Sequence, residues 1–86
     1  MSTYKLTVST PDGNIFDGEV SALFVRGAAG DLAVLAGHVP FVTTVQAGEV
    51  KIELEDGTRR VGRTDGGILT VGKDSTTLLS GTIKFE

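Results

Sequence analysis

Short apolar runs alternate with turn residues along the whole chain, and several runs have the two-residue period of a β-strand. Residues 4–8 alternate apolar and polar side chains, as expected of a strand with one buried face. Residues 50–55 alternate in the same way and lead into Asp56-Gly57, a strong signal for a hairpin. The pattern therefore predicts a partner strand over residues 58–64.

Two other runs, Ala22–Val25 and Ile68–Val71, are apolar on almost every position. Such a run is typical of a central strand packed inside the fold, or of a strand whose outer face meets a partner. The sequence leaves both interpretations open. Seven apolar residues in these and similar runs are predicted to be largely buried: Leu23, Val25, Val34, Ile52, Leu54, Ile68 and Leu79.

Turn residues recur about every 8–12 positions, a spacing typical of an all-β sandwich or barrel. The predicted turns are Pro11-Asp12-Gly13, Asp17-Gly18, Gly27–Gly30, Gly37–Pro40, Ala47-Gly48, Asp56-Gly57, Asp65–Gly67, Gly72–Asp74 and Ser80-Gly81. No window has the apolar spacing of a helix. We therefore expect one domain over residues 1–86, a flattened antiparallel β-sandwich of about 8–10 short strands without a substantial helix.

The segment around the chain's only histidine is the most distinctive. A turn at Gly30-Asp31 is followed by a short apolar strand, and a loop then presents His38 before another strand starts at Phe41. This segment resembles the run Gly-Glu-Leu-Gly-Ile-Leu-Pro-Gly-His-Ala-Pro-Leu of the amino-terminal β domain of F-type ATP synthase epsilon subunits, called delta in mitochondria. Thr10–Val20, Val45–Val50 and Gly66–Val71 resemble other segments of that family in order and spacing, although Ala47 replaces a usual proline.

Composition restricts the possible functions. The formal net charge is −3 and the chain has no cysteine, so a disulfide or thiolate metal site is excluded. Nucleic acid is an unfavourable partner because phosphate contacts need clustered cations. The one basic cluster, Arg59, Arg60 and Arg63, is interpreted as the solvated face of a strand near acidic residues. No apolar run approaches the ~20 residues of a membrane span.

His38 does not predict catalysis or metal binding. A metal site needs several ligands and the chain has no second histidine. Asp31 lies seven residues away across a strand, and no serine or threonine in that loop completes a triad. The Gly27–Gly30 turn lacks the ending of a phosphate-binding loop. We expect no catalytic residue, no cofactor, no metal and no small-molecule ligand.

The resemblance implies a non-catalytic rotor subunit of a proton- or sodium-translocating F-type ATP synthase, which couples the gamma subunit to the membrane c-ring. It implies two contact regions on this chain. One end of the sandwich would meet the c-ring through Ala28, Ala29, Asp31 and His38. A side face would meet the gamma subunit through Thr10, Ile15, Phe16 and Thr43, although the residues alone slightly favour a core position for Phe16.

Other interpretations stay open from the sequence alone. A free-standing β-sandwich module that binds proteins or peptides is the main alternative, and a small enzyme is disfavoured for want of a nucleophile–base pair. The resemblance places such a subunit at the cytoplasmic face of a bacterial inner membrane, with an organelle-encoded equivalent as the alternative. Members of the family typically continue into a hairpin of two helices, so we expect either a naturally short subunit or a trimmed one.

Overall fold

A computed structural model of the chain describes residues 2–37 and 39–86, and these form nine strands and no helix. The strands are β1 (Tyr4–Thr10), β2 (Gly13–Gly27), β3 (Gly30–Leu35), β4 (Phe41–Val45), β5 (Gly48–Leu54), β6 (Arg59–Thr64), β7 (Gly67–Val71), β8 (Ser75–Ser80) and β9 (Ile83–Phe85). The all-β prediction is confirmed, and no helix in the described ranges could cross a membrane.

The strands form two layers that share β2. Hydrogen bonding follows the order β1-β8-β7-β4-β2-β5-β6-β9, and β3 adds to β2. The first half of β2 pairs with β1, and its second half pairs with β3 and β5. The register on β5 shifts between Val20 and Ala22, where Ser21 turns its hydroxyl to the Glu53 and Leu54 carbonyls at 3.2 and 3.4 Å. This irregularity is where the chain passes from one layer to the other.

One strand pair departs from the expected antiparallel arrangement. Strands β1 and β8 run parallel, with Lys5 opposite Ser75 and Ser9 opposite Leu79. Parallel neighbours need a long connection between them, and here nearly the whole chain supplies it. Because turn signals report only local hairpins, the sequence pattern gives no indication of this pairing.

A single apolar cluster fills the space between the layers. Leu6, Leu69 and Leu78 reach it from one layer, and Leu23 and Ile52 reach it from the other, all with 0% exposure. The burial predictions for Leu23, Val25, Val34 and Ile52 are confirmed. Leu54 is only partly buried and packs at the margin of the cluster.

Two of the burial predictions are wrong. Ile68 is 48% exposed and Leu79 is 50% exposed. These residues lie directly opposite each other on β7 and β8, and their neighbour Leu69 is the one that enters the core. Side chains of a strand alternate between faces, so an apolar run cannot have all of its residues inside unless both faces are covered.

One predicted turn is also wrong. Asp17-Gly18 lies within β2, opposite Thr7 and Leu6 of β1. Gly18 is half-buried within this strand, and a β-carbon there would lie at ordinary van der Waals distance, 3.4 Å, from the Phe16 ring. The predicted hairpin at Asp56-Gly57 is confirmed by the pairing of β5 with β6.

The hairpin turn between β5 and β6 has its own hydrogen bonds. The Gly57 amide donates to the Leu54 carbonyl at 3.0 Å, and the Thr58 amide donates to Asp56 Oδ1 at 2.9 Å. The backbone and side-chain hydrogen bonds from Thr58 lower the pKa of Asp56 below its usual range. The turn therefore favours the ionised carboxylate.

Hydroxyl groups hold one end of the sandwich together. Ser80 Oγ lies 2.7 Å from Thr64 Oγ1, 2.8 Å from the Gly66 carbonyl oxygen and 2.9 Å from the Thr82 carbonyl oxygen. Since Ser80 and Thr64 are buried, these contacts satisfy polar groups that would otherwise be costly. They join the turn before β7 to the turn before β9. Gly67 follows, where a β-carbon would collide with the Leu79 carbonyl oxygen.

Tyr4 connects the start of β1 to β3. Its hydroxyl donates to the Val34 carbonyl at 2.7 Å, and its ring packs against the core. Burial raises the pKa of the Tyr4 hydroxyl above the ordinary value of 10.0. The folded state therefore favours the neutral form of the Tyr4 hydroxyl.

Leu23→Ala and Leu79→Ala form a matched pair for testing the core. Leu23→Ala should cost about 2–5 kcal/mol because it leaves a cavity in a packed interior. Leu79→Ala should change stability by less than about 1 kcal/mol, since half of that side chain is already exposed. Urea unfolding of both variants measures the difference. Equal costs would contradict the inward side assigned to Leu23 on β2 or the outward side assigned to Leu79 on β8.

Tyr4 predicts a loss of stability at alkaline pH. Its pKa is raised on folding, so its contribution is fully present below pH 10.0, the ordinary value, and falls as the unfolded state ionises above that value. Tyr4→Phe should flatten this dependence while costing about 1 kcal/mol at neutral pH through the lost hydrogen bond. Thermal melts between pH 8 and pH 11.5 test this, and parallel curves for both proteins would contradict it.

Candidate protein-docking surfaces

The outward side of one layer carries an uncharged surface, which we name the apolar face. It consists of alternate residues on β4, β7 and β8: Val42, Thr44, Ile68, Thr70, Thr77 and Leu79. The register brings them together, with Thr44 opposite Ile68, Val42 opposite Thr70 and Thr70 opposite Thr77. Strand β1 extends the surface with Thr7 opposite Thr77 and Ser9 opposite Leu79.

The apolar face combines high exposure with an absence of charge. Val42 is 67% exposed, and Ile68 and Leu79 are about half exposed. Every residue that defines the face is aliphatic or a threonine. The nearest ion pair in the register joins Lys5 to Asp17 at 3.6 Å, at the border of the layer. A contiguous apolar surface on a small protein is characteristic of a protein-docking site.

A shallow depression of about 420 Å³ lies at one end of the apolar face. Its lining includes Ile68 and Leu79 and the β1–β2 turn at Thr10 and Pro11. The depression is mainly apolar, and it offers a partner side chain a place to insert.

Two of the residues predicted to contact gamma lie beside this surface. Thr10 ends β1, lines the depression and accepts the Asp12 amide at 3.3 Å. Ile15 is 40% exposed and occupies the β2 position left unpaired where the register on β1 shifts. A bulge of this kind re-aims a side chain outwards.

The other two gamma candidates face inwards. Phe16 lies opposite the buried Val8 and packs against the core while remaining partly exposed. Thr43 lies opposite the buried Leu69 and is also half-buried. The structure therefore does not gather all four candidates on one outward face. The sequence did not predict Val42, Ile68 and Leu79 as surface residues of one face, although the two-sided apolar run Ile68–Val71 was a signal for Ile68.

The c-ring candidates start at an exposed turn. Ala28 and Ala29 form the turn between β2 and β3, and both are exposed. The Asp31 side chain is 87% exposed and lies 3.5 Å from Arg26 Nε. His38 lies outside the described residues, so its position relative to Asp31 stays a prediction. Gly37, the residue before it, follows the end of β3 that is remote from Asp31.

A second concave surface, of about 790 Å³, lies on the other layer beside Asp31. Phe24 and Leu32 contribute apolar area, and several charged side chains surround them. Arg26 pairs with Asp31, and Lys51 pairs with Glu49, both at 3.5 Å. Because its charges are largely neutralised within the chain, this groove does not select one class of ligand. The described residues contain no cluster of His, Cys, Asp or Glu that could hold a metal ion.

Comparison with known proteins places the chain in a family. Residues 3–86 match the family described as ATP synthase, Delta/Epsilon chain, beta-sandwich domain. With nearly all of its length matched, the chain belongs to this family.

Curated relatives of the chain include ATP synthase epsilon chains. The chain is 37% identical to the ATP synthase epsilon chain of Acinetobacter baylyi over 82 residues, covering 95% of this chain and 59% of the relative. It is 35% identical to that of Bacillus subtilis over 80 residues, covering 93% and 60%. The chain thus spans about three fifths of the length of these relatives.

Solved structures show the same fold. A chain of the Euglena gracilis mitochondrial ATP synthase OSCP/F1/c-ring structure superimposes with a TM-score of 0.92 at 24% identity, covering 99% of this chain and 54% of that chain. A chain of the Tetrahymena thermophila mitochondrial ATP synthase central stalk/c-ring structure gives 0.77 at 17% identity, covering 96% and 66%.

Proposed function

We propose that this chain is a non-catalytic rotor subunit of an F-type ATP synthase, which couples the gamma subunit to the membrane c-ring. The proposal is supported by family membership and by curated relatives that are ATP synthase epsilon chains. The similar structures come from assemblies whose names include the central stalk and the c-ring. Such a subunit would work at the cytoplasmic face of a bacterial inner membrane and reach the membrane through the complex.

The observation that carries the proposal is the apolar face. Burying Val42, Ile68 and Leu79 against a partner would remove aliphatic area from water, at about 25 cal/mol per Å². The threonines between them can hydrogen-bond at the margin without the desolvation cost of a charge. We assign this face to the gamma subunit, together with Thr10 and Ile15 at its edge.

Asp31 suits a weaker, exchangeable contact with the c-ring. Its carboxylate is exposed, and among residues 2–37 and 39–86 it pairs only with Arg26, at 3.5 Å, a surface ion pair of the kind worth about 0–1 kcal/mol. A basic group in a ring loop could therefore replace Arg26 at little cost. Ala28 and Ala29 beside it are small enough to let backbone approach backbone.

Rigidity explains why a β-sandwich suits this task. A coupling body must hold two partners at a fixed separation while torque passes between them. The two layers share β2 and a single packed core, so the contact regions cannot move independently without breaking the core. No step of the proposed function requires chemistry by this chain.

A charge placed on the apolar face should weaken binding of the gamma subunit. Leu79→Glu should weaken capture of the gamma subunit at least tenfold, because a carboxylate would be buried without a partner. Leu35→Glu is the matched control, since Leu35 is also a half-exposed leucine but lies on β3. Pull-down with purified gamma measures both. Loss of binding in the control alone would show that the docking face is misassigned.

Charge reversal at Asp31 should impair coupling to the ring. Asp31→Lys should lower ATP-driven proton pumping in reassembled enzyme at low salt, because it places like charges together if the ring loop is basic. The defect should fade at high salt as the charges are screened. Asp31→Asn is the control and should have a smaller effect. Unchanged pumping per ATP hydrolysed at low salt would contradict the contact.

A further inference from the structure

Arg60 is a charged residue on the inward side of a strand. It lies on β6 opposite the fully buried Ile52, and the next residues on the same side of β6 are Gly62 and Thr64, both buried. Arg59 and Arg63 point to the outer side and are exposed. The three arginines that look alike in the sequence therefore occupy two different environments.

Two phenylalanine rings hold the Arg60 guanidinium. Its central carbon lies 5.8 Å from the centroid of Phe16 and 5.2 Å from the centroid of Phe85. Both rings pack against the core while remaining partly exposed. Gly62 makes room for this arrangement, because a β-carbon there would meet Phe85 Cδ1 at 2.7 Å. The guanidinium is thus positioned where β2 of one layer faces β6 and β9 of the other.

Arg60 has no carboxylate partner within the described ranges. The ion pairs there involve Lys5, Arg26, Lys51 and Arg59. The contrast with the adjacent residue is informative, since Arg59 Nε lies 3.0 Å from Glu53 Oε2. A half-buried cation held by aromatic rings and left without an anion has its N–H donors available to another molecule.

We propose that Arg60 is a carboxylate-binding residue that receives an Asp or Glu side chain from the docked gamma subunit. The assignment of the partner rests on the proposed function. Contact with the rings restrains the guanidinium before binding, so little side-chain entropy is lost when its planar fork meets a planar carboxylate. The Phe16 ring that contacts the guanidinium belongs to the residue after Ile15, which is 40% exposed and is assigned to the gamma contact, so adjacent residues of β2 connect Arg60 with that contact region.

Acetate tests the binding chemistry without any partner. The probe is sodium acetate, titrated against sodium chloride at constant ionic strength into the isotope-labelled chain, with NMR detection of the arginine side-chain Nε–Hε resonances. The Arg60 resonance should shift saturably with acetate and not with chloride, and the Arg63 resonance should not saturate. Absence of a selective Arg60 shift would overturn the proposal, as would tighter binding of inorganic phosphate than of acetate.

Gamma capture tests the partner. Arg60→Met keeps an unbranched stem between the rings, and an unchanged amide spectrum would verify its fold. It should weaken capture at least tenfold, whereas the matched variant Arg63→Met should change capture less than twofold. Arg60→Lys keeps the charge without the fork, so it should weaken capture at least threefold. Equal capture by wild type and Arg60→Met would overturn only the role of Arg60 as the carboxylate-binding residue. Failure of the wild type to capture gamma would overturn the proposed function.

Discussion

The structure depends on one constraint: strand β2 must belong to two layers at once. Its fifteen residues pair with β1 over the first half and with β3 and β5 over the second. At Ser21, where β2 changes layer, the side-chain hydroxyl forms hydrogen bonds with carbonyl groups of β5. Without this passage, the leucines of β1, β7 and β8 would have no opposite layer to pack against. Because both layers share β2, the position of β2 also determines how the outward surfaces of the two layers lie relative to each other.

Local alternation made much of the fold predictable from the sequence. The hairpin at Asp56-Gly57 and the buried residues Leu23 and Ile52 follow from the two-residue period and from turn chemistry. The parallel pairing of β1 with β8 could not be predicted, because it joins residues from opposite ends of the chain. The turn prediction at Asp17-Gly18 is wrong because glycine also occurs inside strands, and here both residues lie within β2.

The sites were predicted less completely than the fold, and Ile68 and Arg60 show why. The run containing Ile68 allowed either a buried strand or a partner-facing one, and only the assembled layers reveal which face stays open. The basic cluster in the sequence predicts a solvated charge for Arg60 as for Arg59 and Arg63, although strand alternation places Arg60 on the other side of β6. Its contacts with Phe16 and Phe85 arise from segments distant in sequence. Asp31, by contrast, lies in β3 close to the local turn at Ala28 and Ala29, and its side chain is exposed.

The ladder between residues 5–9 and 75–79 also governs the order in which the domain can be built. During synthesis, β1 and β2 can form a hairpin as soon as both leave the ribosome. The other edge of β1 then has no partner until β8 has been made. A nascent chain consequently carries an open strand edge while β2 to β8 are being made, which is the state in which strands associate wrongly with other chains. Closure of the sandwich is therefore a late event, set by topology and not by the strength of any single contact.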